Sequence, residues 1–245
     1  MLMKVRGFVS LVFILAYTFI CFWLVTMPLI VWPSGRISQW IVRNVWASGL
    51  LWFCGVKVLP EGQENIKLGE PCIFISNHQS HFDILTIFHT NPVNLRFLTK
   101  RSLFNIPILG YYLWLAGYIP IDRSNREKAI RSLDRAAEKI RNGIPIVAFA
   151  EGTRSFTNEL LPFKKGPFML ALKAGAPVIP ISISGTLWVL PKTSLLPRPG
   201  LVRIRYGEPI NLSGYTTDDR DRLMEEVRQI ITRNKAKIEV RPPSV

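Results

Sequence analysis

The sequence predicts an α/β protein: a mixed β-sheet flanked by helices, preceded by an N-terminal membrane-associated helical hairpin. Three observations lead there. Gly7 to Gly35 holds no charged residue. Beyond residue 60, short apolar runs alternate with helical periodicities, the pattern of βα units. Polar and ionisable residues gather where apolar runs end, the side of an open α/β sheet on which ligands bind. A chain of 245 residues suits one large domain with an appendage. On this reading, residues 1–56 form a two-helix membrane-anchoring motif and residues 57–245 an α/β domain.

The first arm, Phe8 to Trp32, would make a helix of roughly 37 Å, enough for a hydrocarbon core of about 30 Å. Its apolar run exceeds the ~7–15 residues of a secretory signal, and no small-residue cleavage site comes after it. Pro33-Ser34-Gly35 is a turn signal, after which Ile37 to Val56 resumes an apolar course with Trp40, Trp46 and Trp52. This second arm carries Arg43 and Asn44, and an Arg at mid-membrane costs about 2.5–3.5 kcal/mol even on the lenient scale. Trp enrichment favours the water-lipid interface. A hairpin dipping into one leaflet is therefore preferred over two complete spans or one exporting span. The basic residues Lys4 and Arg6 place both ends of the hairpin on the cytoplasmic side.

Strands are expected at Cys72 to Ser76, Leu95 to Thr99, Tyr118 to Ile121, Ile144 to Phe149, Val178 to Ser182 and Leu201 to Tyr206. A helix begins at Ser124, where Ser124 and Glu127 form a capping-box pattern, and ends before Gly143. Ala129, Ile130, Leu133, Ala137 and Ile140 make its apolar face. A second runs from about Thr217 to Asn234, with Leu223, Val227 and Ile230 on one side. The tail IEVRPPSV is expected to be poorly ordered.

Lys and Arg outnumber Asp and Glu by 31 to 17, a net charge of +14, so anionic partners are indicated. Mean hydropathy is positive, with 48% apolar residues, high for a soluble nucleic-acid binder, so a membrane-associated protein handling phosphate is expected and no nucleic acid. The first sixty residues hold five basic and no acidic side chains, suited to anionic membrane lipids. Three cysteines, Cys21, Cys54 and Cys72, lie in apolar surroundings without metal-type spacing.

Two constellations carry chemistry. SNHQSHFD, residues 76–83, falls where a strand gives way to a helix. Its His78 and Asp83 are five apart, so a helical turn can put the carboxylate behind the imidazole. One ring nitrogen then takes a proton while the carboxylate fixes the tautomer. Metal binding by His78, His81 and Asp83 is a competing reading, as is a hydrolase triad, but neither an H-E-x-x-H nor a G-x-S-x-G pattern exists. His81 and His89 read as structural. The second constellation, FAEGTRS at 149–155, has the make-up of an anion site: Gly152 permits a close turn, Thr153 and Ser155 offer hydroxyls, and Arg154 brings a planar donor suited to phosphate. Lys100, Arg101 and Arg123 are further cations at strand ends, and the apolar run Leu103 to Tyr118 could line an acyl-chain groove.

These residues resemble the glycerolipid acyltransferase family. Four blocks occur in the family's order: SNHQSHFD at 76–83, GYIPIDR at 117–123, FAEGTRS at 149–155 and APVIPI at 176–181. Ala150 stands where the family usually has Pro, leaving Glu151, Gly152 and Arg154 in place. The likeness spans about residues 57–210. It implies transfer of a fatty acyl group from acyl carrier protein or CoA to the 2-hydroxyl of lysophosphatidic acid, giving phosphatidic acid. It implies His78 as general base, Asp83 as its orienting partner, and no acyl-enzyme, metal or organic cofactor. Arg154, with Arg123 and Lys100, would hold the acceptor phosphate, while Glu151, Gly152 and Thr153 would shape the acceptor site. A bacterial inner membrane, with the catalytic domain facing the cytoplasm, is implied by the same resemblance. The alternatives are another acceptor, such as glycerol 3-phosphate, a different lysophospholipid or an ornithine lipid, and a non-catalytic adaptor that binds anionic lipid.

Overall fold

The computed structural model describes residues 2–31, 35–122 and 125–241. The chain opens with α1 (Leu2–Val31), which packs along a second helical arm made of α2 (Arg36–Ile41), a π-helical stretch Val42–Ala47 and α3 (Ser48–Phe53). Strand β1 (Val56–Glu61) comes next, then β2 (Ile73–Ser76), α4 (Phe82–Thr90), β3 (Arg96–Lys100), α5 (Leu109–Leu115) and β4 (Ile119–Ile121). The second half runs α6 (Arg126–Arg141), β5 (Ile146–Phe149), α7 (Lys165–Ala174), β6 (Val178–Ser184), α8 (Thr186–Val189), β7 (Gly200–Tyr206) and α9 (Arg220–Lys237).

The strands form one mixed sheet ordered β1-β7-β6-β2-β5-β3-β4, with β7 antiparallel to β6 and the other neighbours parallel. Strands covered on both faces read as unbroken apolar runs, and IFIS is one, with all four residues buried. Alternate residues serve opposite layers. Phe74, Phe97 and Val147 pack with α1, the second arm and α4, whereas Ile73, Ile75 and Ile146 pack with α6, α7 and α9. Every strand expected from sequence is present within two residues. The additional strand β1 was masked by Pro60 and Lys57; it lies at the sheet edge, where a missing backbone donor is tolerated.

The second arm resolves the Arg43 puzzle. A π turn has more residues per turn than an α-helix and rotates the residues beyond it, so no single 3.6-residue stripe fits the arm. Arg43 faces the domain and not lipid: its Nε donates to the His89 carbonyl (3.3 Å) at the end of α4, where the helix dipole favours a cation. The Ser48 hydroxyl donates to the Arg43 carbonyl (2.7 Å) and accepts from His89 Nδ1 (2.8 Å), which gives His89 a structural role. Between the arms, a Cβ at Gly49 would come within 2.5 Å of Tyr17 Oη, so glycine permits the close approach. Val25, Leu29, Val42 and Leu50 share one core with Phe74 and Phe88. Residue 56 thus marks a change of element and not a break in packing.

Two local expectations change. Helix α6 is capped by Asn125, whose Oδ1 accepts from Lys128 N (3.0 Å); Ser124, the expected cap, lies outside the described residues. Within the tail, Ile238 is fully buried, and the Val240 backbone donates to Ser184 Oγ (3.0 Å) and accepts from Trp188 Nε1 (2.9 Å). An apolar anchor and two hydrogen bonds hold a segment whose composition alone suggested fraying. Its last four residues, 242–245, are outside the described part.

Candidate active site

The site is built on the segment between β2 and α4. Asn77 locks that segment to β6: its Nδ2 donates to the Ile183 carbonyl (3.0 Å) and its Oδ1 accepts from Ile183 N (2.8 Å). Ser80 Oγ donates to the Leu190 carbonyl (2.7 Å). The turn is fixed on two sides before His78 does anything.

Asp83 sits in the first turn of α4, fully buried. Its Oδ2 accepts from His78 Nδ1 (2.7 Å), Gln79 N (2.7 Å) and Ser80 N (2.9 Å), and its Oδ1 from Thr186 Oγ1 (2.5 Å). Four donors and a helix N-terminus converge on one carboxylate, which compensates its removal from water. The bond at Nδ1 puts the proton there, leaving Nε2 as the basic nitrogen. The His78 ring stacks on Phe149 at 3.7 Å between centroids and 11° between planes, and its side chain is only 13% exposed. The imidazole is thereby held in one orientation from the edge and from the face.

The segment after β5 joins this turn through its backbone. Ser155 N donates to the His78 carbonyl (2.8 Å), and Glu151 Oε1 accepts from His78 N (2.8 Å). Glu151 Oε2 accepts from Leu161 N (2.9 Å), so the carboxylate braces two chain segments from beneath. Burial pushes the Glu151 carboxyl up from its ordinary range, and the two amide bonds work against that shift. Gly152 adopts φ 68°, a conformation that costs an ordinary side chain strain, so the tight turn depends on glycine. Thr153 is exposed and Arg154 half-buried. The Arg154 guanidinium is close enough to feel burial, which opposes its charge, and the Asp83 carboxylate, which favours it. His81 is exposed, yet its pKa is pushed down, first by the surrounding protein and then by the charge of Arg154.

Of the residues singled out in the sequence, His78, Asp83, Glu151, Gly152, Thr153 and Arg154 come together. Lys100 is exposed at the carboxyl end of β3, with β5 between it and β2. Arg123 lies outside the described residues. Among the described residues, no three His, Cys, Asp or Glu side chains gather as metal ligands.

Three further residues take part through contacts that carry no local sequence signal. Thr186 and Phe149 hold the pair of His78 and Asp83, and Lys192 reaches across to the EGTR loop, donating to the Arg154 carbonyl (3.0 Å) and Thr153 Oγ1 (3.3 Å). Their contacts span 38 to 103 residues where they cross elements, so no short spacing announces them. Beside the pair, an apolar cavity of about 270 Å³ lies between α1, the second arm, α4 and the 103–118 segment. Val25, Trp46, Phe88, Phe97, Leu103 and Tyr112 are among its walls. Phe97 stacks on Phe149, the ring beneath His78, so the cavity adjoins the His78 ring.

The family profile named Acyltransferase matches residues 57–184. A 1-acyl-sn-glycerol-3-phosphate acyltransferase of Limnanthes alba is 33% identical over 223 residues, covering 90% of this chain and 79% of that one. The Saccharomyces cerevisiae enzyme of the same name is 36% identical over 197 residues, 79% of this chain and 64% of that one. The crystal structure of the 1-acyl-sn-glycerophosphate (LPA) acyltransferase PlsC from Thermotoga maritima superposes with a TM-score of 0.83 at 26% identity, covering 96% of this chain and 97% of that one. With a histidine held by a buried carboxylate, an arginine loop bonded to that histidine's backbone and this breadth of similarity, the chain belongs to the acyltransferase family.

Proposed function

We propose that the protein transfers a fatty acyl group from a thioester, carried by acyl carrier protein or CoA, to the 2-hydroxyl of lysophosphatidic acid, giving phosphatidic acid. The hydrogen-bonded pair of His78 and Asp83 carries this reading. Nε2 takes the hydroxyl proton as the oxygen attacks the thioester carbonyl. The tetrahedral oxyanion collapses with cleavage of the C–S bond, and the departing thiolate takes the proton back from the imidazolium. Asp83 keeps Nδ1 protonated and stabilises the transient cation. Both half-steps use one base, so the scheme needs no acyl-enzyme, metal or organic cofactor. Arg154 holds the acceptor phosphate from the EGTR loop, with Lys100 and Arg123 as further cations, while Gly152 and Thr153 line the acceptor and Glu151 braces it. The apolar cavity accommodates an acyl tail.

Charge-assisted hydrogen bonds contribute about 1.5–3 kcal/mol. Arg154→Ala is therefore expected to raise KM for lysophosphatidic acid by ~10–100-fold while barely affecting an acceptor that lacks the phosphate. Equal losses on both acceptors would remove Arg154 from phosphate recognition. A matrix of thioester donors and lysophospholipid acceptors tests the substrate assignment; preference for glycerol 3-phosphate, another lysophospholipid or an ornithine-lipid precursor would replace it. Binding of anionic lipid without turnover would favour an adaptor.

The substrate's tail sits in hydrocarbon and its head in water, and the N-terminal arms suit that boundary. Val5–Val31 is, among the described residues, the one helix long and apolar enough to cross a membrane. Its outward face presents Val5, Phe8, Val12, Phe19, Trp23 and Met27 uncovered, more apolar surface than a water-exposed helix carries. The second arm is packed on the domain, which favours a monotopic hairpin in one leaflet; the reading places it, from the basic Lys4 and Arg6, on the cytoplasmic face of a bacterial inner membrane. A lone cysteine at Ser34, with the native three replaced, should be labelled in sealed vesicles only from the side holding the domain. Labelling from the opposite side would overturn the monotopic placement.

A further inference from the structure

We propose that the basic face of α6, together with Arg101, is a docking surface for an acidic carrier protein that delivers the acyl thioester on a flexible arm. The inference rests on the thioester-donor reading above and names the donor's carrier.

Lys128, Arg131 and Arg135 recur at helical spacing and are all exposed. With Arg101, Asp122 and Ser132 they enclose a surface pocket of about 210 Å³ at the edge of the sheet. Their internal pairings are loose: Arg101 Nε is 4.0 Å from Asp122 Oδ2, and Arg131 Nη1 is 3.7 Å from Glu127 Oε2. Exposed pairs of that kind contribute little. Four cations against these two carboxylates leave an excess of positive charge, complementary to an acidic partner.

Position decides what arrives there. Helix α6 packs in the layer with α7 and α9, whereas α1 and its uncovered apolar face lie on the other side of the sheet. The α6 part of the patch, on the layer turned away from the membrane-facing helix, meets a partner approaching from water, which favours a protein over lipid headgroups. The stripe from Lys128 to Arg135 extends about 10 Å along the helix, a length that matches the side of an acidic helix better than a single phosphate.

The patch is also correctly placed for the donor. Arg101 starts the helical turn Arg101–Asn105, whose Leu103 lines the apolar cavity. Asp122 comes directly after β4, three strand spacings from β2, or about 14 Å across the sheet. A pantetheine-type arm spans that distance, so a carrier seated on α6 can present its thioester to His78 and its chain to the cavity.

The test compares wild type with Arg131→Glu/Arg135→Glu, using one acyl chain on acyl carrier protein and on CoA, with lysophosphatidic acid in mixed micelles. The expected result is a rise of at least about tenfold in KM for the carrier-protein thioester, with KM for the CoA thioester and both kcat values within about twofold. Higher ionic strength should weaken the wild type toward the carrier thioester and leave the variant little changed. The neutral pair Arg131→Gln/Arg135→Gln should give a smaller rise in the same direction, which separates charge from misfolding. Parallel loss with both donors would assign the patch to the phosphates of CoA and overturn carrier docking. No change with either donor, loss of vesicle binding in the variant, or a wild type that uses CoA thioester alone would also overturn it. The last of these leaves the proposed function standing, whereas no transfer from either donor overturns both.

Discussion

His78→Ala is expected to lower turnover at least ~100-fold, a loss of about 2.7 kcal/mol of transition-state stabilisation, the scale of a missing general base. The fold should survive, because the imidazole's bonds are one edge contact to Asp83 and one face contact to Phe149, while the turn is held by backbone bonds to Glu151 and Ser155. Vesicle binding should also be unchanged, since the apolar face of α1 lies elsewhere. Steady-state assays under saturating acceptor, paired with a thermal melt, check both halves. Near-normal turnover in a folded variant would remove His78 from the chemistry.

Asp83→Asn should cost turnover by a further route, again on the order of 100-fold. Removing the side chain altogether is the wrong test, since Asp83→Ala would leave four donors unpaired in a buried site at ~1–3 kcal/mol each. Asparagine can keep the arrangement. Its carbonyl oxygen takes the three donors now on Oδ2, and its amide donates to the Thr186 hydroxyl, which can reverse its role. What disappears is the negative charge behind Nδ1, and with it stabilisation of the imidazolium formed as the hydroxyl is deprotonated. The expected signature is a large fall in kcat, little change in acceptor KM and a melting temperature within a few degrees of wild type. Turnover within about threefold of wild type would reduce Asp83 to a scaffold residue.

Much of this arrangement is legible in the sequence because its parts are local. Strand, turn and helix across 76–83 are written in eight residues, and the five-residue spacing of His78 and Asp83 needs only one helical turn to make the pair. The EGTR loop is legible for the same reason: Gly152 marks the left-handed turn and Arg154 the anion. The roles of Thr186 and of Phe149, the first residue of FAEGTRS, are invisible there because they exist only once distant elements align. Glu151 looks like a residue that touches substrate, yet its carboxylate is occupied by the amides of His78 and Leu161. Arg43 looks costly only if the helix is taken as regular; the π turn and the end of α4 give it a partner. Sequence patterns encode elements and short-range constellations, whereas second partners are set by packing between layers.

The central claim is tested most directly by product formation from purified wild-type protein, a long-chain acyl thioester and lysophosphatidic acid, run beside the 2-deoxy analogue of that acceptor and resolved by mass spectrometry. The proposed chemistry predicts thioester-dependent phosphatidic acid from the natural acceptor, acylated at the 2-position, and no acylated product from the analogue. Failure to form phosphatidic acid, or equal acylation of the acceptor that lacks the 2-hydroxyl, would contradict it.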